Sequence, residues 1–145
     1  MQDYEFELDS IQIVPQNWGL DRIDQETLPL DEEYRYEYTG HGVEVYIVDT
    51  GLFQMHTDFT TITSAVEQRQ IRCGFDAFGG QCVDTNGHGT FVAAIVGGIK
   101  HGVAKKANLI AVKVHSTEQG SSLSDFLAGL EYILKQKLQN PKQLM

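Results

Sequence analysis

The stretch "VEVYIVDTG", Val43 to Gly51, decides how this chain folds. Val43, Val45 and Ile47 alternate with Glu44 and Tyr46, and then Ile47 and Val48 run together. A strand whose alternation gives way to continuous apolar residues is entering a core. It ends at Asp49-Thr50-Gly51. An aspartate at the carboxyl end of a buried strand stands where open α/β sheets carry their chemistry.

Downstream, "GTFVAAIVGGI" (Gly89 to Ile99) has no polar face and is too short for a membrane span. It predicts a helix buried all round, with Ala93, Ala94, Gly97 and Gly98 permitting close approach. "ANLIAVKV" (Ala107 to Val114) predicts a second strand. "SLSDFLAGLEYILKQKL" (Ser122 to Leu138) places Leu123, Leu127, Leu130, Leu134 and Leu138 at helical steps, an amphipathic pattern. Ser122 or Ser124 can cap its start, and Lys135 and Lys137 suit its end. Strand, helix, strand, helix with apolar strands predicts an α/β fold, a doubly wound parallel sheet with helices on both faces.

Upstream, "YEFELDSIQIV" (Tyr4 to Val14) reads as a strand with an irregular end. Pro15 to Gly42 is rich in turn formers and charge, which predicts surface loop with a helical turn around Trp18 to Ile23. There is no internal repeat and no low-complexity tract.

Composition bounds the function. The 145 residues are 41% hydrophobic, enough for a core. Acids outnumber bases 20 to 11, a formal charge of −9, which argues against nucleic-acid or anionic-membrane partners. No apolar run reaches the length of a membrane span. The acidic start "MQDYEFELDS" has no apolar core and is not expected to be a signal peptide. The two cysteines, Cys73 and Cys82 in "CGFDAFGGQC", leave two readings open: two thiols, or one bridge stiffening a loop in an oxidising compartment.

The chemistry lies in Asp49 and in "VDTNGHGTFVAAIVGG" (Val83 to Gly98), where His88 stands between two glycines at a helix start. A carboxylate bonded to one ring nitrogen fixes the tautomer and leaves the other nitrogen free as a base. Taken singly, Asp49 could cap a turn and His88 a helix. A metal site from Asp49, His56 and His88 is weakly supported, because no short metal-ligand spacing is present.

Together, the two segments resemble the subtilisin-type serine peptidases, or subtilases, in their proteinase K-like and aqualysin-like branch. "VYIVDTGLFQMHTDF" is similar to the family's aspartate motif, with His56 at the usual downstream histidine, and "NGHGTFVA" to its histidine motif. "GVAKKANLIAVKV" resembles the strand that follows, and "QNWGLDRIDQ" the start of the mature enzyme. The aspartate-then-histidine order is that of the subtilisin triad. The resemblance implies Asp49 and His88 as catalytic residues and a polypeptide substrate. It implies that residues 1–14 are the end of an inhibitory propeptide, itself a partner, and that 15–145 begin the peptidase domain, with processing near Gln12 to Pro15. It further implies a secretory or extracellular location, no required cofactor, and calcium as a family ion whose ligands have no place here residue by residue. Gly120, Ser121, Ser122, Leu123 and Ser124 fall where the family pairs an extended strand with the substrate backbone; the plain alternative is a turn before a capped helix. Cys82 falls where aqualysin-like relatives carry a cysteine, its familiar partner is absent, and Cys73 is the candidate substitute.

This sequence also departs from the family. Phe91 replaces a second histidine after the Gly-His-Gly-Thr, and Ser122 stands where relatives often have glycine. The 145 residues contain no Gly-Thr-Ser-Met-Ala nucleophile motif and no oxyanion asparagine in context; Ser116, Ser121, Ser122 and Ser124 lack the nucleophile's setting. The expectation is therefore the N-terminal half of a subtilisin-like peptidase, truncated and inactive by itself, since a base without a nucleophile performs no acyl transfer. The rival expectation is a non-catalytic remnant that binds peptide or propeptide.

Overall fold

The computed structural model describes residues 10–60 and 69–139. The first part of the N-terminal strand reading, Tyr4 to Asp9, lies outside the described residues. The elements run β1 (Ser10–Ile13), α1 (Trp18–Ile23), β2 (Glu33–Tyr36), β3 (Glu44–Asp49), α2 (Thr57–Thr60), β4 (Ile71–Asp76), α3 (His88–Gly97), β5 (Asn108–Lys113) and α4 (Leu123–Gln139). β3, β5 and β4 form a parallel sheet in that spatial order. Register brings the three carboxyl ends level: Asp49 lies opposite Lys113, and so does Asp76.

The two faces of β5 show the layering, because alternate strand residues point to opposite sides. Leu109 and Ala111 join Ile47, Leu52, Phe59, Cys82 and Ala93 in one apolar core on the α3 side. Val112 and Val114 meet Gly129 of α4 on the other side, and Ile110 meets Gly74 and Tyr132 there. One bulge at Gly74 in β4 keeps both faces filled: Cys73 pairs with Ala111 and Phe75 with Val112. Cys73 packs toward the α3 core, while the Phe75 ring stacks on Tyr132 at 5.8 Å.

Four expectations need correction. The Pro15–Gly42 region is not all loop, since β2 pairs antiparallel with β1; alternation over four residues is too short to stand out among charges. α3 is not buried all round: Gly89, Ala93 and Gly97 face the sheet, whereas Phe91 is 64% exposed. The leucine stripe of α4 is not its sheet-facing side. Leu127 and Leu134 are exposed, and Gly129 with Tyr132 makes the contact instead. Finally, the presumed Gly120–Ser124 strand is a turn and a helix cap. Ser116 and Gly120 exchange backbone hydrogen bonds, Leu123 and Ser124 begin α4, and the Ser122 N–H and hydroxyl donate to Asp125. Asp125 N–H returns a bond to the Ser122 hydroxyl, so the serine is the N-cap of a reciprocal box. Local capping satisfies groups that an extended strand would have left for a peptide.

Candidate active site

Asp49 is the last residue of β3, and His88 the first of α3, so two rigid elements present the pair. His88 Nδ1 lies 2.8 Å from Asp49 Oδ1 and 2.9 Å from Oδ2. A carboxylate only accepts, so Nδ1 carries the proton and Nε2 is left for a partner in solvent. The His88 side chain is 63% exposed and that of Asp49 15%: the orienting group is sheltered and the ring is open. The hydrogen bond from His88 to Asp49, then the charge of Asp49, raise the imidazole above its ordinary value. Asp49 Oδ1 also accepts the Thr50 N–H at 2.7 Å, which holds the carboxylate in place.

The two glycines beside His88 have different physical reasons. Gly87 precedes the helix with φ 98°, a left-handed conformation that disfavours any Cβ. Gly89 lies directly against Gly51, and a Cβ there would collide with the Gly51 carbonyl oxygen. The strand end and the helix start therefore meet backbone to backbone.

Asp84 is the residue the motif reading passed over. Its Oδ1 accepts from the Thr50 hydroxyl and from the N–H groups of Asn86 and Gly87; its Oδ2 accepts from the N–H and hydroxyl of Thr90. Burial pushes its pKa up, but the bonds from Thr90, Gly87 and Thr50 outweigh it and hold the carboxyl well below the usual range. The sequence signal was present: an aspartate followed by Asn-Gly ahead of a helix is an Asx-turn pattern. Lys113 is another brace. It is buried, and its ammonium donates to the carbonyls of Thr50 at 2.5 Å and Val83 at 2.8 Å.

Other expected residues are placed apart from this pair. His56 Nδ1 accepts the Asp58 N–H at 3.2 Å, and its ring lies against Phe53 and Phe59. Among the described residues no group of three His, Cys, Asp or Glu has metal-holding geometry. Ser122 and Ser124 bond each other at 2.7 Å rather than His88. Cys73 and Cys82 form a disulfide with Cα atoms 5.4 Å apart, tying β4 to the loop that leads to Asp84. Beside α3 lies an apolar groove of about 700 Å³ whose walls include Trp18, Phe53, Phe91 and Ile95. No described helix is long and apolar enough to cross a membrane.

A three-stranded parallel sheet flanked by helices, with a hydrogen-bonded Asp–His pair at its carboxyl end, defines the class as an α/β protein. Comparison gives the family: residues 40–140 match the subtilase family, and the chain belongs to it. It is 46% identical over 121 residues to an extracellular serine proteinase of Thermus sp. (strain Rt41A), covering 82% of this chain and 28% of that protein. It is 40% identical over 119 residues to proteinase T of Parengyodontium album, covering 81% of this chain and 38% of that one. The solved structure of a cold-adapted subtilisin-like serine proteinase superposes with a TM-score of 0.72 at 35% identity, over 83% of this chain and 42% of the other. The chain thus spans less than half the length of these relatives.

Proposed function

We propose that this chain contributes the general base and its orienting carboxylate to a serine endopeptidase that cleaves polypeptides through an acyl-enzyme. The observation that supports this is the two-oxygen contact of Asp49 with His88 Nδ1, made from a strand end and a helix start. In the proposed reaction His88 Nε2 takes the proton of a serine hydroxyl as its oxygen attacks the scissile carbonyl. The imidazolium, stabilised by Asp49, then returns that proton to the leaving amine. Serine and oxyanion donors come from outside these 145 residues.

The substrate class is a polypeptide. Residues 1–14 are proposed as the end of a propeptide still paired, through β1, with β2. Secretion is proposed from the name of the Thermus relative, and the Cys73–Cys82 bridge suits an oxidising compartment.

The polypeptide of these 145 residues is expected to hydrolyse nothing above a buffer blank and to resist labelling by a fluorophosphonate. Joined to a serine-bearing remainder of the domain, it should hydrolyse peptides. There Asp49→Asn should cut turnover by about 10⁴ with binding largely kept, and His88→Ala should do at least as much damage. If both variants stay within about tenfold of the parent, a difference of only about 1.4 kcal/mol, the two residues are structural and the proposal fails.

A further inference from the structure

Asp49 and His88 are brought together from separate elements, and their contact depends on how the turn after β3 seats against the start of α3. Thr50 and Asp84 control that seating. Thr50 is buried; its O–H donates to Asp84 Oδ1 at 2.9 Å, and its hydroxyl oxygen accepts the Gly89 N–H at 2.9 Å. Thr50 is the residue after Asp49, and Gly89 is the residue after His88. One hydroxyl therefore bridges the neighbours of both site residues.

Asp84 closes the arrangement from the other side. It holds Gly87, before His88, by the backbone N–H at 2.9 Å, and Thr90, beyond His88, by N–H at 2.9 Å and hydroxyl at 2.5 Å. The Thr90 hydroxyl in turn accepts the Phe53 N–H at 3.0 Å, a second tie between the post-strand loop and α3. Hydrogen bonds to an ionised acceptor are roughly twice as strong as neutral ones. A single carboxylate thus fixes residues on both sides of His88 and the residue next to Asp49. Neither Thr50 nor Asp84 bonds the imidazole itself.

Resting on the reading that His88 is the base, we propose that Thr50 and Asp84 are positioning residues that set the Asp49–His88 contact by locking the strand-end turn to the helix start. A misplacement of about 1 Å at a reacting group costs roughly 10²-fold in rate, so such a lock bears on the chemistry without touching substrate.

The test reads His88 directly, by proton NMR on the protein expressed from its natural reading frame. Two signals matter: the low-field Nδ1–H resonance held by Asp49, and the midpoint of the ring titration. Thr50→Val keeps the shape and every charge but removes the hydroxyl. It should lose the resonance and lower the midpoint, while Thr50→Ser, which restores the hydroxyl, keeps both. Asp84→Asn should lose the resonance likewise; in this variant only the resonance is read, because the Asp84 charge itself also raises the imidazole. If Asp84→Asn does not fold, as near-UV circular dichroism reports, the Thr50 pair decides alone. Resonance and midpoint unchanged in Thr50→Val, or lost equally in Thr50→Ser, overturn the proposal. Asp49→Asn separates the two readings. If it loses both signals while Thr50→Val keeps them, only the lock is wrong; if it too changes neither, the Asp49–His88 pairing has failed.

Discussion

At the scale of single residues, His88 ties function to pH. Asp49 raises its pKa above the ordinary 6.5. A base acts only when neutral, so the acid limb of the rate profile in a serine-bearing protein should lie above 6.5. Asp49→Asn should move that limb down along with the loss in turnover. The same linkage has a sign for stability. A histidine whose folded pKa is raised contributes fully below 6.5, and that contribution is lost as pH rises through the folded value. His88→Gln should therefore narrow the difference in melting temperature between the two sides of that window. An unchanged pH dependence in His88→Gln would remove the linkage. Asp49 and His88 were singled out in the sequence by the resemblance of their two motifs, taken together and in order, to those of the subtilases; either local pattern by itself reads equally as a cap. Asp84 has a local signal in its Asx turn, but its tie to Thr50, 34 residues away in the chain, is one that no local pattern shows.

At the scale of elements, β3, β5 and α4 follow from hydrophobic periodicity, and their faces do not. The leucines of α4 have the right steps for a core stripe, yet Gly129 and Tyr132 take the sheet, because Val112 and Val114 leave room for a glycine and Phe75 offers a ring to stack on. β4 was hidden in the reading of a cysteine-closed loop. Its bulge between Cys73 and Phe75 breaks the alternation that would have revealed it. The contact between β3's end and α3 is the tightest test of this level. Gly89→Ala should destabilise the protein by about 1–3 kcal/mol, the usual cost of overpacking, because the obstacle is the Gly51 backbone rather than a movable side chain. A denaturant midpoint equal to the parent's would show that the two turns separate freely.

At the scale of the whole molecule, apolar surface is left on two helices: Phe91 on α3 is 64% exposed, and Leu127 and Leu134 on α4 are 54% and 58% exposed. Exposed apolar patches of this kind drive association. The 145-residue polypeptide should self-associate in sedimentation velocity, and Leu127→Glu with Leu134→Glu should reduce this while keeping helical circular dichroism, since glutamate sustains a helix nearly as well as leucine. Association unchanged in the double variant would move the responsibility elsewhere on the surface.

The sheet's middle strand, β5, is also the last of its three in chain order. Among the described residues β3 and β4 do not pair with each other, and each pairs with β5. During synthesis, then, both earlier strands emerge from the ribosome with no strand to join until Asn108 and its successors arrive. Distant parallel pairings of this sort form slowly, because a long loop must close before any contact rewards it. For that interval two apolar strands wait with open edges, each able to pair with a neighbouring nascent chain instead. Time, rather than final stability, is where this topology leaves the protein most vulnerable.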